Sequence, residues 1–324
     1  GRRSAMATFG YFLSSEELAP ADQVRWAQRA EQAGFDRLWI SDHYHPWNDE
    51  QGESSFVWGV IGAIAATTEL HVTTAVTCPT VRIHPAVIAQ AAATSSLLLQ
   101  GRFTLGVGTG EFLNEHILGD HWPPAPERLE MLREAVEVMR RLWTGEWVTH
   151  DGDHYLVEDA RIYSCPSAPV PVYVSGFGPK SISLAAEIGE GYITTQPSAE
   201  SLSSYRDQGG EGPGQAGLKV CWGEDEQQAV KTAHRLWANS GIPGEAAQEL
   251  RMPQHFEQVS ALVTEEMTAE STACGPDPER HLAAITPYLE AGYDEVFVSQ
   301  MGTEQEGFFT FWEKELQPRL AKLT

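Results

Sequence analysis

The stretch Arg37-Leu38-Trp39-Ile40-Ser41-Asp42-His43-Tyr44-His45-Pro46-Trp47 decides the fold. A short strand-like apolar run passes directly into a cluster of polar and aromatic side chains. In parallel α/β proteins the C-terminal ends of strands are where functional groups gather. A second stretch does the same, with Arg102-Phe103-Thr104-Leu105 leading into Gly106-Val107-Gly108-Thr109-Gly110-Glu111. Two such clusters on different strands point to one shared site. It would hold an imidazole, two carboxylates, an indole and a glycine-rich backbone, which is an enzyme's inventory.

Working outward, short apolar strands alternate with amphipathic helical stretches almost to the end. Strands are expected at 7–13, 36–41, 70–78, 102–108, 170–175, 191–195, 217–222 and 295–300. Eight βα units in this length predict an α/β fold, a (β/α)8 TIM barrel, in preference to an open doubly wound sheet. Leu129, Leu132, Val136, Met139 and Trp143 recur at helical spacing, so one stripe faces the barrel. Pro20 and Pro85 each open a helix, and Gly34 follows the last turn of the first. Two stretches break the rhythm. Residues 145–169 carry Asp151-Gly152 between Trp147-Val148 and Tyr155-Leu156-Val157, a hairpin signal. Residues 241–275 hold Pro243, Gly244 and Pro253 among helical fragments, an insertion expected to cap the barrel mouth. The run Gly209-Gly210-Glu211-Gly212-Pro213-Gly214 reads as a flexible surface loop. Residues 1–5 are expected to be a remnant ahead of Met6, leaving 6–324 as one TIM-barrel domain.

Composition narrows the partners. The 324 residues carry a formal net charge of −23, which argues against nucleic acid and against an anionic membrane. No apolar run approaches the roughly 20 residues of a membrane helix. Cys78, Cys165, Cys221 and Cys274 are scattered without metal or redox spacing, so reduced thiols and a cytoplasmic location are expected.

His43 and His45 form an H-x-H pair that metal-dependent barrel hydrolases use, but the later strand ends add no histidine. They read Ser175-Gly176-Phe177-Gly178, Thr195-Gln196 and Ser299-Gln300, so no metal is expected. Alone, His43 is either a structural histidine under a loop or a general acid–base, since imidazole titrates near neutrality. Asp42 is a strand-end turn aspartate or a ligand group. Trp47 is a core plug or a ring packed on a planar ligand. Gly106-x-Gly108-x-Gly110 lacks dinucleotide spacing and is either close packing in the barrel wall or backbone access to a flat ligand, with Glu111 as proton donor. Asn114 shares a helical face with Glu111. The Ser175–Gly178 run, followed by Pro179-Lys180-Ser181, is either an anion site at a helix start or a plain turn, and the exposed amides and Lys180 favour the anion site.

Together, Ser-Asp-His-x-x-Pro-Trp, Thr-Gly-Glu-x-Leu-Asn-Glu, Pro-Ala-Val-Ile-Ala-Gln and the closing Leu-Gln-Pro-Arg-Leu resemble the glucose-6-phosphate dehydrogenase-like family that uses the deazaflavin coenzyme F420. That family belongs to the luciferase-like superfamily of TIM barrels. The resemblance implies a homodimer that moves a hydride between a secondary alcohol or sugar hydroxyl and coenzyme F420. His43 would take the substrate proton, and Glu111 would protonate the coenzyme ring. Glu16 and Trp47 would line the substrate pocket beside these catalytic groups, with Thr195 and Ser198. Asp42, Gly110, Asn114, Gly176, Phe177 and Gly178 would fall on coenzyme positions, flanked by Ser175 and Lys180. Ala75-Val76, continuing into Thr77 and Cys78, would form a bulge with a non-proline cis peptide behind the ring.

One departure stands out. Sugar-phosphate members place basic residues around the phosphate, and the matching positions here are Ser198 and, through gaps, Val259 and Ser271, with Glu265, Glu266 and Glu270 nearby. The expectation is therefore an unphosphorylated alcohol or polyol, with Arg251 and Lys231 as the nearest basic candidates in sequence. The rivals are an FMN-dependent luciferase-like monooxygenase, a glucose-6-phosphate dehydrogenase with a different phosphate clamp, and a non-catalytic ligand-binding barrel.

Overall fold

The computed structural model of the protein describes residues 7–323; the expected remnant at 1–5, Met6 and Thr324 lie outside the described residues. The strands are β1 (Thr8–Leu13), β2 (Arg37–Ile40), β3 (His71–Thr74), β4 (Phe103–Val107), β5 (Val148–Asp151), β6 (Leu156–Ala160), β7 (Val172–Ser175), β8 (Gly191–Thr194), β9 (Gly214–Val220) and β10 (Glu295–Gln300). Eight of them close a parallel barrel in the order β1-β10-β9-β8-β7-β4-β3-β2, and β5 and β6 form a separate antiparallel pair. The first five helices are α1 (Pro20–Gln32), α2 (Val57–Thr67), α3 (Pro85–Leu98), α4 (Phe112–Glu115) and α5 (Ala125–Leu142). After them come α6 (Pro179–Ile188), α7 (Ala199–Asp207), α8 (Glu226–Trp237), α9 (Gly244–Glu249) and α10 (Pro253–Ser260). The last four are α11 (Glu265–Ser271), α12 (Pro278–Glu290), α13 (Gln305–Phe311) and α14 (Gln317–Leu323). Among the described residues no helix is long and apolar enough to cross a membrane.

Aromatic rings fill the barrel. Trp39 stacks on Phe297 with centroids 4.5 Å apart, and Phe12 meets Trp39 edge-on at 5.3 Å. Two glycines make the room: a Cβ at Gly10 would lie 2.3 Å from the Phe297 ring, and one at Gly217 would lie 2.2 Å from Trp39. The Trp39 indole N–H donates to Gln215 Oε1 at 2.9 Å, so the buried polar tip is satisfied. This plug forms the floor on which the groups at the strand ends stand.

All eight expected barrel strands are present, with two boundaries corrected. The third stops at Thr74; the next amide, of Ala75, still bonds the Ile40 carbonyl at 2.8 Å, and the Ala75–Val76 peptide that follows is cis. Thr77 then rejoins the wall through one bridge to Val107. The ninth begins at Gly214, so the expected flexible loop at 209–214 is partly packed structure. A Cβ at Gly212 would come within 1.6 Å of the Glu190 carbonyl oxygen, which only a glycine permits.

Both insertions take the expected places. The hairpin signal at Asp151-Gly152 is right in position, but the connection is longer than two residues, with Gly152 N–H bonded to the Tyr155 carbonyl at 3.0 Å. Glu134 of α5 fills that turn, accepting from the amides of His154 at 3.1 Å and Tyr155 at 2.7 Å. The 241–275 segment covers the barrel mouth, where Phe256 packs with Leu113 and Ile242 against Trp47.

Candidate active site

Chain reversal after β1, β2 and β4 gathers the first set of groups. His43, on the β2–α2 loop, has a side chain only 9% exposed, and its Nε2 lies 3.9 Å from Glu16 Oε2 after β1. The Trp47 indole N–H donates to that same Glu16 oxygen at 3.1 Å. The Ser41 hydroxyl donates to the other oxygen. Trp47 meets the His43 ring edge-on at 5.0 Å and Phe256 at 5.1 Å, so the capping insertion closes over it. Burial pushes the Glu16 carboxyl up, but His43, Lys219 and Ser41 outweigh it and hold the group below its ordinary range. Glu16 therefore stands as a buried carboxylate facing an imidazole.

Asn114 ties the second cluster to the first. Its Oδ1 accepts from the backbone N–H of Tyr44 at 2.9 Å and His45 at 3.0 Å, which fixes the amide's orientation. Its Nδ2 then faces His43 Nδ1 at 3.0 Å and Glu111 Oε2 at 3.4 Å. His43 Nδ1 also lies 3.2 Å from the His45 carbonyl. The two neighbours serve two tautomers. Donation to the His45 carbonyl leaves Nε2 bare to take a proton. Acceptance from Asn114 leaves Nε2 protonated and able to give one. His45 turns elsewhere, with Nδ1 2.9 Å from the Leu113 carbonyl and its ring stacked on His116, so the H-x-H pair does not converge on one point.

Asp42, two residues past the end of β2, has partners other than His43. It accepts from the Thr77 hydroxyl at 2.9 Å and pairs with Arg82 at 3.3 Å. Arg82 also pairs with Glu115 at 3.3 Å, and its backbone N–H donates to Glu115 at 2.9 Å. Cys78, buried beside Thr80, is pushed up by burial and by Glu115, which disfavours its thiolate. The three glycines of 106–110 answer the β3 bulge. Their added Cβ atoms would meet the Thr74 carbonyl oxygen at 1.9 Å, Val76 at 2.9 Å and Cys78 Sγ at 2.6 Å. Gly110 also has φ +87°. Close packing therefore accounts for these glycines, and the packing seats Ala75 and Val76 at the mouth.

The β7–α6 turn runs from Ser175 to the start of α6 at Pro179. Gly178 caps α6 with open space where a Cβ would stand, while Gly176 is pressed against Ser181 at 2.4 Å. Phe177 and Lys180 are exposed, and Lys180 lies on the outer side of the turn toward α5. Thr195 offers its carbonyl to Tyr288 at 3.0 Å. Ser198 caps α7, its hydroxyl accepting from Ser201 N–H at 3.0 Å, which leaves it a structural task of its own.

Sequence reasoning missed Arg82, Glu115, Glu17 and Lys219. Lys219 is a basic group that the sequence reading did not weigh beside Arg251 and Lys231: its Nζ lies 4.2 Å from the Phe12 ring centroid and 4.1 Å from that of Trp237. The signal was present, because Gln215, Gly217 and Lys219 share the inward face of a strand with period two.

A closed parallel barrel with an acid–imidazole–indole cluster at its mouth defines a TIM-barrel enzyme. The chain belongs to the luciferase-like monooxygenase family, whose model matches residues 5–295. It is 36% identical over 328 residues to a protein of Microbacterium testaceum named F420-dependent glucose-6-phosphate dehydrogenase, covering 97% of each chain. It is 37% identical over 331 residues to a protein of the same name from Kribbella flavida, covering 97% of this chain and 98% of the relative. Among solved structures it resembles an F420-dependent secondary alcohol dehydrogenase in complex with an F420-acetone adduct, at TM-score 0.89 and 29% identity, over 97% of this chain and 99% of that one. The relatives' name runs against the expectation of an unphosphorylated substrate, which is not retained.

Proposed function

We propose that this protein is an F420-dependent dehydrogenase acting on the hydroxyl carbon of a sugar phosphate or a secondary alcohol. The observation that carries this is the convergence of Glu16, His43 and Trp47 on one side of the mouth, with Asn114 linking them to Glu111 on the other. The names of relatives at 36% and 37% identity support the coenzyme and the substrate class.

The residues present fit a flat, phosphate-bearing coenzyme. The glycine-lined β4 wall brings Ala75 and Val76 to the mouth, and the Gly176–Gly178 turn leaves open space at the start of α6. Ala75, Val76, Thr77, Cys78 and Gly110 would back the ring, with Asp42 and Asn114 at its edge. Ser175, Gly176, Phe177 and Gly178 would take the phosphate, and Lys180, on the outer side of the turn, would not touch it. When bound, F420 supplies a two-electron acceptor. His43 Nε2 takes the hydroxyl proton as the substrate is oxidised, and the Glu16 carboxylate stabilises the imidazolium that results. Trp47 fixes Glu16 and, with Phe256, excludes water. Glu111 holds the proton exchanged at the coenzyme side. Thr195 and Ser198 would border the substrate. A homodimer is part of this proposal; Phe56, Val87, Leu97 and Leu98 leave apolar surface exposed at the start of α2 and along α3, and light scattering tests it.

The test follows bleaching of oxidised F420 with glucose 6-phosphate and with isopropanol as separate donors, and repeats both with FMN. Turnover of either donor with F420 alone is expected. Turnover with FMN and none with F420 would overturn the reading.

A further inference from the structure

Lys219 enters the barrel from β9 and ends between two aromatic faces, those of Phe12 and Trp237. Its Nζ is buried and makes no hydrogen bond among the described residues. An ammonium without donors engaged is costly to bury unless charge answers it. The answering charges are Glu16 and Glu17, which both act on Lys219 against the effect of burial. Glu17 is itself committed: it accepts from the Trp237 indole at 2.8 Å and from Gly302 N–H at 2.9 Å. Burial raises it, with Lys219 the chief opposing charge and Glu16 adding to the rise. Tyr11 and Cys221 also face Glu17. Glu16 faces His43, Lys219 and the hydroxyl of Ser41.

Two neighbouring carboxylates in one buried place cannot both stay ionised without a cation, because like charges raise each other's affinity for a proton. One cation therefore serves both. We propose that Lys219 is a positioning residue, the counter-charge that holds Glu16 as a carboxylate against His43 while the substrate proton is removed. Burial works against the charged forms of both Glu17 and Lys219, and each charge opposes that effect on the other.

The inference rests on His43 and Glu16 being the proton-handling pair proposed above, so turnover of F420 by the wild-type protein is established first. Lys219→Met keeps the stem between the two rings and removes only the charge. In coenzyme-free protein with carbon-13-labelled glutamate carboxyls, assigned with Glu16→Gln, the Glu16 midpoint is expected to rise by about one pH unit or more in Lys219→Met. At neutral pH, kcat is expected to fall roughly tenfold or more and to recover as pH is raised, with the F420 dissociation constant unchanged. The double variant Lys219→Met/Glu17→Gln removes the competing carboxylate and is expected to restore part of both. If Lys219 is only a space-filling stem, Lys219→Met keeps the wild-type midpoint, kcat and pH profile, and the proposal falls. It falls equally if the double variant is no better than the single one. If Lys219→Met does not fold, the double variant alone decides: a folded double variant with a wild-type-like Glu16 midpoint supports the proposal, and failure of both to fold overturns it in favour of a structural lysine. An inactive wild type would instead defeat the functional reading and leave the carboxyl titration to judge Lys219.

Discussion

The indole N–H of Trp47 and Nε2 of His43 address the same atom, Oε2 of Glu16, at 3.1 Å and 3.9 Å. The shared carboxylate joins the end of β1 to the loop after β2. It also joins Trp47, which packs against the capping insertion, to the His43 imidazole.

Removing the base should separate chemistry from binding. His43→Ala is expected to lower kcat by roughly 10²–10⁴, the usual worth of a general acid–base, with F420 affinity little changed. Glu111→Gln should slow the reaction as well, with its loss smaller where the proton is supplied by solvent. Steady-state rates beside a fluorescence titration of the coenzyme check both. Near-normal turnover in the two variants would remove these residues from the mechanism.

Trp47→Phe keeps most of the ring packed on Phe256 and deletes the donor to Glu16. A hydrogen bond to a charged group is worth about 1.5–3 kcal/mol, so kcat/KM should fall by roughly tenfold to a hundredfold. Trp47→Ala should cost more and raise KM, because the cap loses its partner. Equal effects from the two substitutions would mean that Trp47 acts through packing alone.

The barrel itself was legible in the sequence because each strand ends in a change of composition and each helix carries its own punctuation. Pro20 and Pro85 stand at the first turns of α1 and α3, and Gly34 takes φ +92° just past α1. The site was legible where its residues sit next to one another in the chain, as Asp42 to Trp47 do. It was not legible where partners come from distant strands. Arg82 looks like an ordinary loop arginine until the fold brings Asp42 and Glu115 to it. Lys219 looks like a solvated strand lysine until the barrel closes around it. The boundary at Gly214 was missed because a glycine-rich run suits both a free loop and a crowded one, and only the approach of Glu190 distinguishes them.

Coenzyme choice gives a direct binding test. The turn before α6 leaves open space at Gly178, and the named relatives are F420-dependent. Micromolar or tighter binding of F420 is expected, with FMN weaker by roughly tenfold or more, a difference of about 1.4 kcal/mol. Fluorescence quenching with both ligands under one buffer measures it. Tighter FMN binding would favour a monooxygenase.

Arg82 offers a stability test whose pH dependence has a definite sign. Its guanidinium serves two carboxylates, and the side chains of Arg82, Asp42 and Glu115 are 10%, 4% and 1% exposed. Removing one partner of such a cluster leaves buried charge uncompensated, so Arg82→Met should cost roughly 3–5 kcal/mol by urea denaturation at neutral pH. Arg82→Lys should recover only part, because an ammonium cannot span both acids as the guanidinium fork does. Burial already raises Glu115, and Arg82 is the group that opposes the rise. In Arg82→Met the folded-state affinity of Glu115 for a proton climbs further above that of the unfolded chain. The folded state then binds more protons than the unfolded one, so its stability relative to wild type improves as pH falls toward 5. The deficit should therefore shrink between pH 8 and pH 5, roughly, as Glu115 takes its proton. A deficit below about 1 kcal/mol at neutral pH, or one that grows as pH falls, would show that Arg82 does not carry the charge of this cluster.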